Sequence, residues 1–408
     1  SIWLTLHSYL NFDYSRLQDI HVLNAIILFL FLNFLSYELI HEIKKKEKTV
    51  YLPVLFFSLI FVLAKYTRLK EFGIDRSAFL IFFYIILFYI KHISLDLNKK
   101  NTDEFKIFIF FLLSFFCTFL FFIKIIFIFS LILFISIFFH IEKKILILKN
   151  FLTYFLCLIY VSYFFKNFLI SGCLVYPIEQ LCFVKLPWYE ATLIKDLNFN
   201  TEVFNKSFFQ YDGDLKQSDY IQNFYWIKTW FQRNINELVE FFTILSSIFI
   251  MTILNFKRSI NKYQDKQAIN LYSLIIILIL SFLLIFLKAP VIRMSHHVFI
   301  LFFFVILLKY FNGQIIVNNK KVFISLILIA FIFNISKNLI RIKASDFTND
   351  PIKILQKSGL YSEAIERKLG DFVYYQGWIG GYPIGNSNLE NYNYKKLFIF
   401  DIITKKNN

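Results

Sequence analysis

The sequence predicts an all-α polytopic membrane protein of about ten transmembrane helices, with a long outer loop and a small outer C-terminal region. Three observations carry this. The 408-residue chain is 58% hydrophobic and has Phe at 56 positions, whereas soluble domains run near half apolar. Runs such as FLIFFYIILFYI (79–90) and FIFFLLSFFCTFLFFI (108–123) have near-spanning length and admit no soluble reading. Finally, Lys and Arg are unevenly divided between alternate loops, which accounts for the net charge of +16 without nucleic acid. The excess of Phe, Ile, Lys and Asn beside scarce Gly fits an AT-rich genome, so a Phe stripe reads as lipid-facing filler rather than as a site.

The apolar spans fall at 20–40, 49–64, 77–93, 107–123, 125–141, 151–166, 238–256, 269–287, 297–311 and 322–337. The second and ninth are short for a bilayer, being below or near its ~17-residue lower limit. The fourth and fifth are separated only by Lys124 and form a tight hairpin with its turn at the membrane surface. The sixth stops where Gly172 and Pro177 follow it, since neither residue propagates a helix.

Loops 44–48, 99–106, 143–149, 257–266 and 309–321 hold seventeen Lys and Arg, against seven in the short loops of the other set. The richer set is cytoplasmic by the positive-inside rule, so the N-terminal segment, loop 167–237 and tail 338–408 lie outside. The organisation is then six spans in 1–166, an extracytoplasmic loop with an interfacial helix in 167–237, four spans in 238–337, and an extracytoplasmic region in 338–408. The tail offers a helix candidate, PIKILQKSG (351–359), and a Gly-rich turn, GWIGGYPIGN (377–386). The chain opens Ser-Ile-Trp without an initiator Met, and we expect it to be a piece of a longer protein.

Special residues gather in two places. FLISGCLVYPIEQLCFVKLPWY (168–189) carries Cys173 and Cys182 with eight residues between them. Thiols outside the membrane meet an oxidising compartment, so a Cys173–Cys182 disulfide is expected. Trp188 and Tyr189 suit the headgroup level, where amphipathic rings anchor, and Tyr176 and Trp188 are candidates for the wall of a sugar or lipid cleft. Farther on, YIQNFYWIKTWFQR (220–233) reads as a short interfacial helix whose Trp226 and Trp230 either anchor it or wall a sugar or lipid cleft.

The second place is LKAPVIRMSHH (287–297), where Lys288 precedes a helix-breaking Pro290 and Arg293, His296 and His297 follow it, all four being candidate contacts to a lipid phosphate. Arg suits bidentate phosphate recognition and Lys a point-charge contact; the bland alternative is snorkelling to headgroups. The outer carboxylates include Glu190, Asp196 and Glu202. YDGD (211–214) is a loop pair that reads as solvated turn residues more readily than as a cation site. No metal site is assigned. A divalent cation is a candidate cofactor without assigned ligands, and no Walker loop, GxSxG, HExxH or dinucleotide fingerprint occurs.

With SGCLVYP (171–177) leaving a span, Trp188 after it, APVIR (289–293) at an outer helix end and a Gly-Trp…Tyr-Pro tail, the chain resembles a group of uncharacterised bacterial polytopic membrane proteins related in plan to GT-C glycosyltransferases. That resemblance implies a multi-pass protein of the bacterial inner (cytoplasmic) membrane, acting in cell-surface polysaccharide or glycolipid assembly. It implies a polyprenyl-phosphate-linked sugar donor, a glycan acceptor and membrane lipid as partners. It also implies a single displacement, in which a carboxylate deprotonates the acceptor hydroxyl and lipid phosphate leaves. Arg293, with Lys288, carries over as the phosphate contact. The family's catalytic acid lies just after its first span, a place that would precede Ser1, so no residue here takes that role. Alternatives are an O-antigen polymerase or ligase, which also has a large outer loop between late spans, and a non-catalytic transporter or structural membrane protein. Ion-coupled transport is disfavoured because span interiors hold few ionisable residues, with Glu38 and His140 as near-terminal exceptions.

Overall fold

A computed structural model describes residues 20–45, 49–65, 75–94, 103–239 apart from 177, 187, 188, 190 and 236, 271–311 apart from 289, and 314–344. In the tail it describes 364–369, 372–379, 382–385, 392–397 and 400–405. The expected seventh span (238–256) lies almost entirely outside these residues, and the 351–359 helix candidate lies wholly outside them.

Apolar helices make up most of what is described: α1 (Ile20–Lys44), α2 (Tyr51–Lys65), α3 (Asp75–Tyr89), α4 (Asp103–Ile123), α5 (Leu131–His140), α7 (Phe151–Ser171), α11 (Tyr272–Lys288), α12 (Ile292–Tyr310) and α14 (Lys320–Ala344). Short helices α6 (Lys144–Leu148) and α13 (Gln314–Asn318) join neighbours in this series. Four stretches, Ala25–Lys44, Asp103–Ile123, Phe151–Ser171 and Lys320–Ile340, are long and apolar enough to cross a membrane. The fold is that of a helical multi-pass membrane protein, in which helices satisfy their own backbone groups away from water.

Local sequence explains the boundaries. Asn150 caps α7, its side-chain oxygen accepting from the Leu152 N–H at 2.9 Å. Gly172 ends α7 in the left-handed region (φ 72°), as the sequence predicts for this glycine. At Lys124 the backbone is extended (φ −148°, ψ 125°), which breaks the chain between α4 and a 3-10 turn, Ile125–Ser130, that runs into α5. The α3 helix widens into a π-helical segment at Ile90–Ser94, a distortion found frequently at functional sites.

The bundle core is largely phenylalanine. Phe57, Phe61, Phe79, Phe82, Phe83, Phe127 and Phe304 are all fully buried, and their rings meet edge-on or tilted: Phe57–Phe304 at 6.2 Å, Phe61–Phe83 at 5.6 Å, Phe82–Phe127 at 5.4 Å. Many Phe side chains are therefore protein core, not lipid filler. On α7, by contrast, no residue is buried. The buried hydroxyls of Ser58, Ser114 and Ser130 donate back to carbonyls three or four residues earlier. Tyr89 joins three elements, its hydroxyl lying 2.9 Å from Ser136 Oγ and 3.2 Å from Ser273 Oγ.

One charged group is buried among these helices. Glu38 of α1 accepts from Lys91 Nζ at both oxygens, at 2.7 and 2.8 Å, and Glu42 one turn later accepts from Lys45 and from Thr49 Oγ1. Glu38 and Glu42 are 5% and 2% exposed. These groups lie toward the end of α1 and in the π-helical segment after α3, where the sequence names Glu38 as a near-terminal exception, and each acid has a lysine partner.

The tail departs from the all-α expectation. It forms an antiparallel sheet β1-β2-β3 (Ala364–Leu369, Phe372–Ile379, Tyr382–Gly385) and a hairpin β4-β5 (Tyr392–Leu397, Phe400–Lys405). Runs such as FVYYQGWI and FDIITK are rich in aromatic and β-branched residues, which suit pleated surfaces, and short connections enforce hairpins. The expected Gly-rich turn is mostly strand: Gly377 pairs with Gly385, with a register shift between Gly377 and Trp378. Contacts divide the chain into two compact units, Ser1–Val184 with Glu190–Ser336, and Lys185–Tyr189 with Lys337–Asn408.

Candidate functional site

The loop after α7 is folded. Cys173 and Cys182 are disulfide-bonded and form an isolated antiparallel bridge, flanked by Leu174 N–H donating to Leu181 O (2.9 Å) and Phe183 N–H to Gly172 O (2.8 Å). Between them Tyr176 is exposed on the turn, and burial by its surroundings raises its phenol above the ordinary value. Trp188 lies outside the described residues. Closing so short a loop contributes about 2–3 kcal/mol in the chain-entropy account. Changing both cysteines to Ser should lower the thermal midpoint of the solubilised protein, and an unchanged midpoint would show the staple to be dispensable.

Beyond the staple come α8 (Ala191–Asn205), a 3-10 turn (Phe208–Gln210), α9 (Gln217–Gln222) and α10 (226–235). The single interfacial helix expected over 220–233 is broken at 223–225, where Phe224 has φ 59°. The break turns Trp226 inward. It is 1% exposed and packs with Val203, Tyr220 and Ile221 and with Phe286 of α11, ring centroids 5.4 Å apart. Its indole N–H has no hydrogen-bond partner among the described residues. Trp230, partly buried, donates its indole N–H to the Pro290 carbonyl, which fastens the loop to the α11–α12 turn. Phe224, Tyr225, Ile227 and Phe231 remain exposed, as suits a segment lying at a membrane surface.

At the end of α8 an ion group sits on this aromatic cluster. Lys206 Nζ lies 2.5 Å from Glu202 Oε1 and 5.4 Å from the Trp226 ring centroid, and Lys288 Nζ lies 2.9 Å from Glu202 Oε2. Burial pushes the Glu202 carboxyl up, but hydrogen bonds and charge from Lys206 and Lys288 outweigh it and hold the pKa below the ordinary glutamate value. Lys206 is followed by Ser207 in a left-handed conformation (φ 64°), costly for a residue with a Cβ. Tyr220 O–H donating to Lys206 O (2.9 Å) and Arg233 Nη1 donating to Ser207 Oγ (3.1 Å) hold that turn.

The structure separates the four residues of the α11–α12 turn. Lys288, on the last turn of α11, meets Glu202. The histidines enter the bundle: His296 packs against Phe79 (5.4 Å) and Phe61 (6.3 Å). His297 is 1% exposed against Phe79, Phe82 and Phe127, with neither ring nitrogen hydrogen-bonded among the described residues. Arg293 is the second residue of α12, and its side chain is not among those described. In the YDGD loop Asp212 and Asp214 are exposed, and a Cβ at Gly213 would meet the Tyr211 hydroxyl at 2.1 Å, so a larger residue there would require the Tyr211 side chain to move.

Sequence reasoning missed the Glu202–Lys206 pair. The signal was available: a Glu four residues before a Lys on a helix is the favourable i,i+4 arrangement. The long-range partner Lys288 had no such signal, since 86 residues separate it from Glu202.

Residues 1–300 match the model of a domain of unknown function, DUF8201. The chain belongs to that family. The DUF8201 match spans every loop and turn residue described above, from Cys173 to His297, and ends before the β-strands of the tail. No curated protein and no solved structure matches the chain.

Proposed function

We propose that this DUF8201 protein is a membrane glycosyltransferase of GT-C type. In this reading it takes a polyprenyl-phosphate-linked sugar at the outer face of the bacterial cytoplasmic membrane, for surface polysaccharide or glycolipid assembly. The ten-span topology with loop 167–237 outside is part of the proposal. The observation that supports it best is the seam between loop and bundle: the exposed Lys288 ammonium, at a helix end, pairs with Glu202, whose other partner Lys206 lies over the ring of Trp226. A cation at the rim of an aromatic, apolar surface is the chemistry that receives a phosphate carrying a long isoprenoid chain. Arg293, five residues on, would supply the bidentate phosphate contact, and the exposed rings of Phe224, Tyr225 and Phe231 the wall against which sugar or lipid packs.

The catalytic base is left unassigned. Glu202, the carboxylate nearest this seam, is held ionised by two lysines, and a depressed pKa makes it a poor proton acceptor. Stabilising the leaving phosphate is the step in which Lys288 and Arg293 would act.

Arg293→Ala and Lys288→Gln, each in the full-length protein, should lower turnover of lipid-linked sugar by about tenfold or more, as expected when a charged phosphate contact is lost. Unchanged turnover and unchanged surface glycan in both would overturn the assignment. A polymerase or ligase of O-antigen type would use the same lipid and the same seam; it is favoured instead if the variants shorten glycan chains while single-sugar transfer is unaffected.

A further inference from the structure

We infer that Glu202 is a built-in stand-in for the ligand's phosphate: its carboxylate occupies Lys288 until a polyprenyl phosphate displaces it. The inference rests on Lys288 being a phosphate contact, as proposed above, and adds how that contact is kept in reserve.

The two lysines on Glu202 are unlike. The Lys206 side chain is 6% exposed, and its ion-pair partner among the described residues is Glu202 Oε1. Taking that partner away would leave a buried charge uncompensated, which is strongly unfavourable. The Lys288 side chain is 69% exposed. When Lys288 leaves, Lys206 still neutralises the carboxylate and water solvates the freed ammonium, so the cost is only that of an exposed ion pair. Of the two, Lys288 is therefore the exchangeable cation.

The groups around it specify what would take Glu202's place. Lys288 offers N–H donors from an exposed ammonium. A phosphate brings more acceptor oxygens and more charge than the carboxylate it replaces. Phe224, exposed, and Phe286 stack at 6.4 Å near this position, an apolar surface for the first isoprene units. The turn itself stays fixed during exchange, because Trp230 holds the Pro290 carbonyl. Glu202 would also compete with water and stray anions at an empty site, raising selectivity for a ligand that has both a phosphate and an isoprenoid chain.

The test uses the full chain in phosphatidylcholine nanodiscs, with polyprenyl monophosphate as the probe, polyprenol as the uncharged control and phosphatidylglycerol as a competing phosphate lipid. Glu202→Gln should bind polyprenyl monophosphate about two- to fivefold tighter than the unaltered protein, the range given by losing competition from an exposed ion pair. Glu202→Asp keeps the charge against Lys206 while shortening the reach to Lys288, so it should tighten binding as well and reports even where Glu202→Gln fails to fold. Lys288→Gln should weaken binding and abolish the gain in the double variant, and polyprenol binding should not change in any of them. If both Glu202 variants bind no tighter while Lys288→Gln binds more weakly, the stand-in is overturned and the phosphate contact stands. If Lys288→Gln binds as well as the unaltered protein, the phosphate contact itself is overturned. Full displacement of the probe by an equal concentration of phosphatidylglycerol would overturn the isoprenoid assignment.

Discussion

Trp226→Ala should destabilise the folded loop by about 3–5 kcal/mol, the usual cost of removing a large aromatic side chain from a packed core. Trp226 is the largest fully buried side chain among the described residues. Val203 and Tyr220 pack on it, Phe286 of α11 lies against it, and Lys206 sits over its ring. Removing it leaves a cavity between α8, α9 and α11 and strips Lys206 of its cation–π partner. Limited proteolysis should show new cleavage within 191–235 while the membrane helices stay protected. Trp226→Phe separates the two functions of the indole: it keeps most of the apolar contact and deletes an N–H that bonds to nothing described, so it should cost less than about 1.5 kcal/mol. Equal protease resistance of Trp226→Ala and the unaltered protein would mean that the loop is held by other contacts.

Which parts of this fold were legible in the sequence follows from the range of the interactions involved. Two helix ends were readable because the signal is local: Gly172 and Lys124 act within one turn of where they stand. The disulfide was readable because compartment and spacing constrain two nearby cysteines. The tail was not, because ordinary composition over a short stretch does not separate strand from coil, whereas the alternation in FVYYQGWI becomes informative only once its partner strands are known. The split of Lys288 from His296 and His297 was half legible. Successive helix positions face different directions, but which direction meets α8 and which meets Phe79 is a tertiary fact. Phe led the reading astray for a physical reason: in a membrane protein the same side chain serves lipid contact and helix packing, and hydropathy does not distinguish them.

Lys91→Met should cost about 3–5 kcal/mol, and more than removal of its partner. The asymmetry comes from burial. The Glu38 side chain is 7% exposed, and without Lys91 its carboxylate is left largely desolvated without its partner. The Lys91 side chain is 27% exposed, so after Glu38→Gln its ammonium can extend along the π-helical end of α3 toward water, at a cost nearer 1–2 kcal/mol. Tyr51 adds to the contrast: its buried hydroxyl has no hydrogen-bond partner among the described residues, yet lies within electrostatic reach of Glu38 and Glu42. Replacing both members, Glu38→Gln with Lys91→Met, removes the desolvated charges together and should cost less than Lys91→Met alone. The cycle is measured from thermal midpoints of the detergent-solubilised protein, with each single variant and the double compared directly. A coupling energy near zero, with Lys91→Met as mild as Glu38→Gln, would place these side chains in contact with water and remove the buried ion pair as a determinant of how α1 packs against the end of α3.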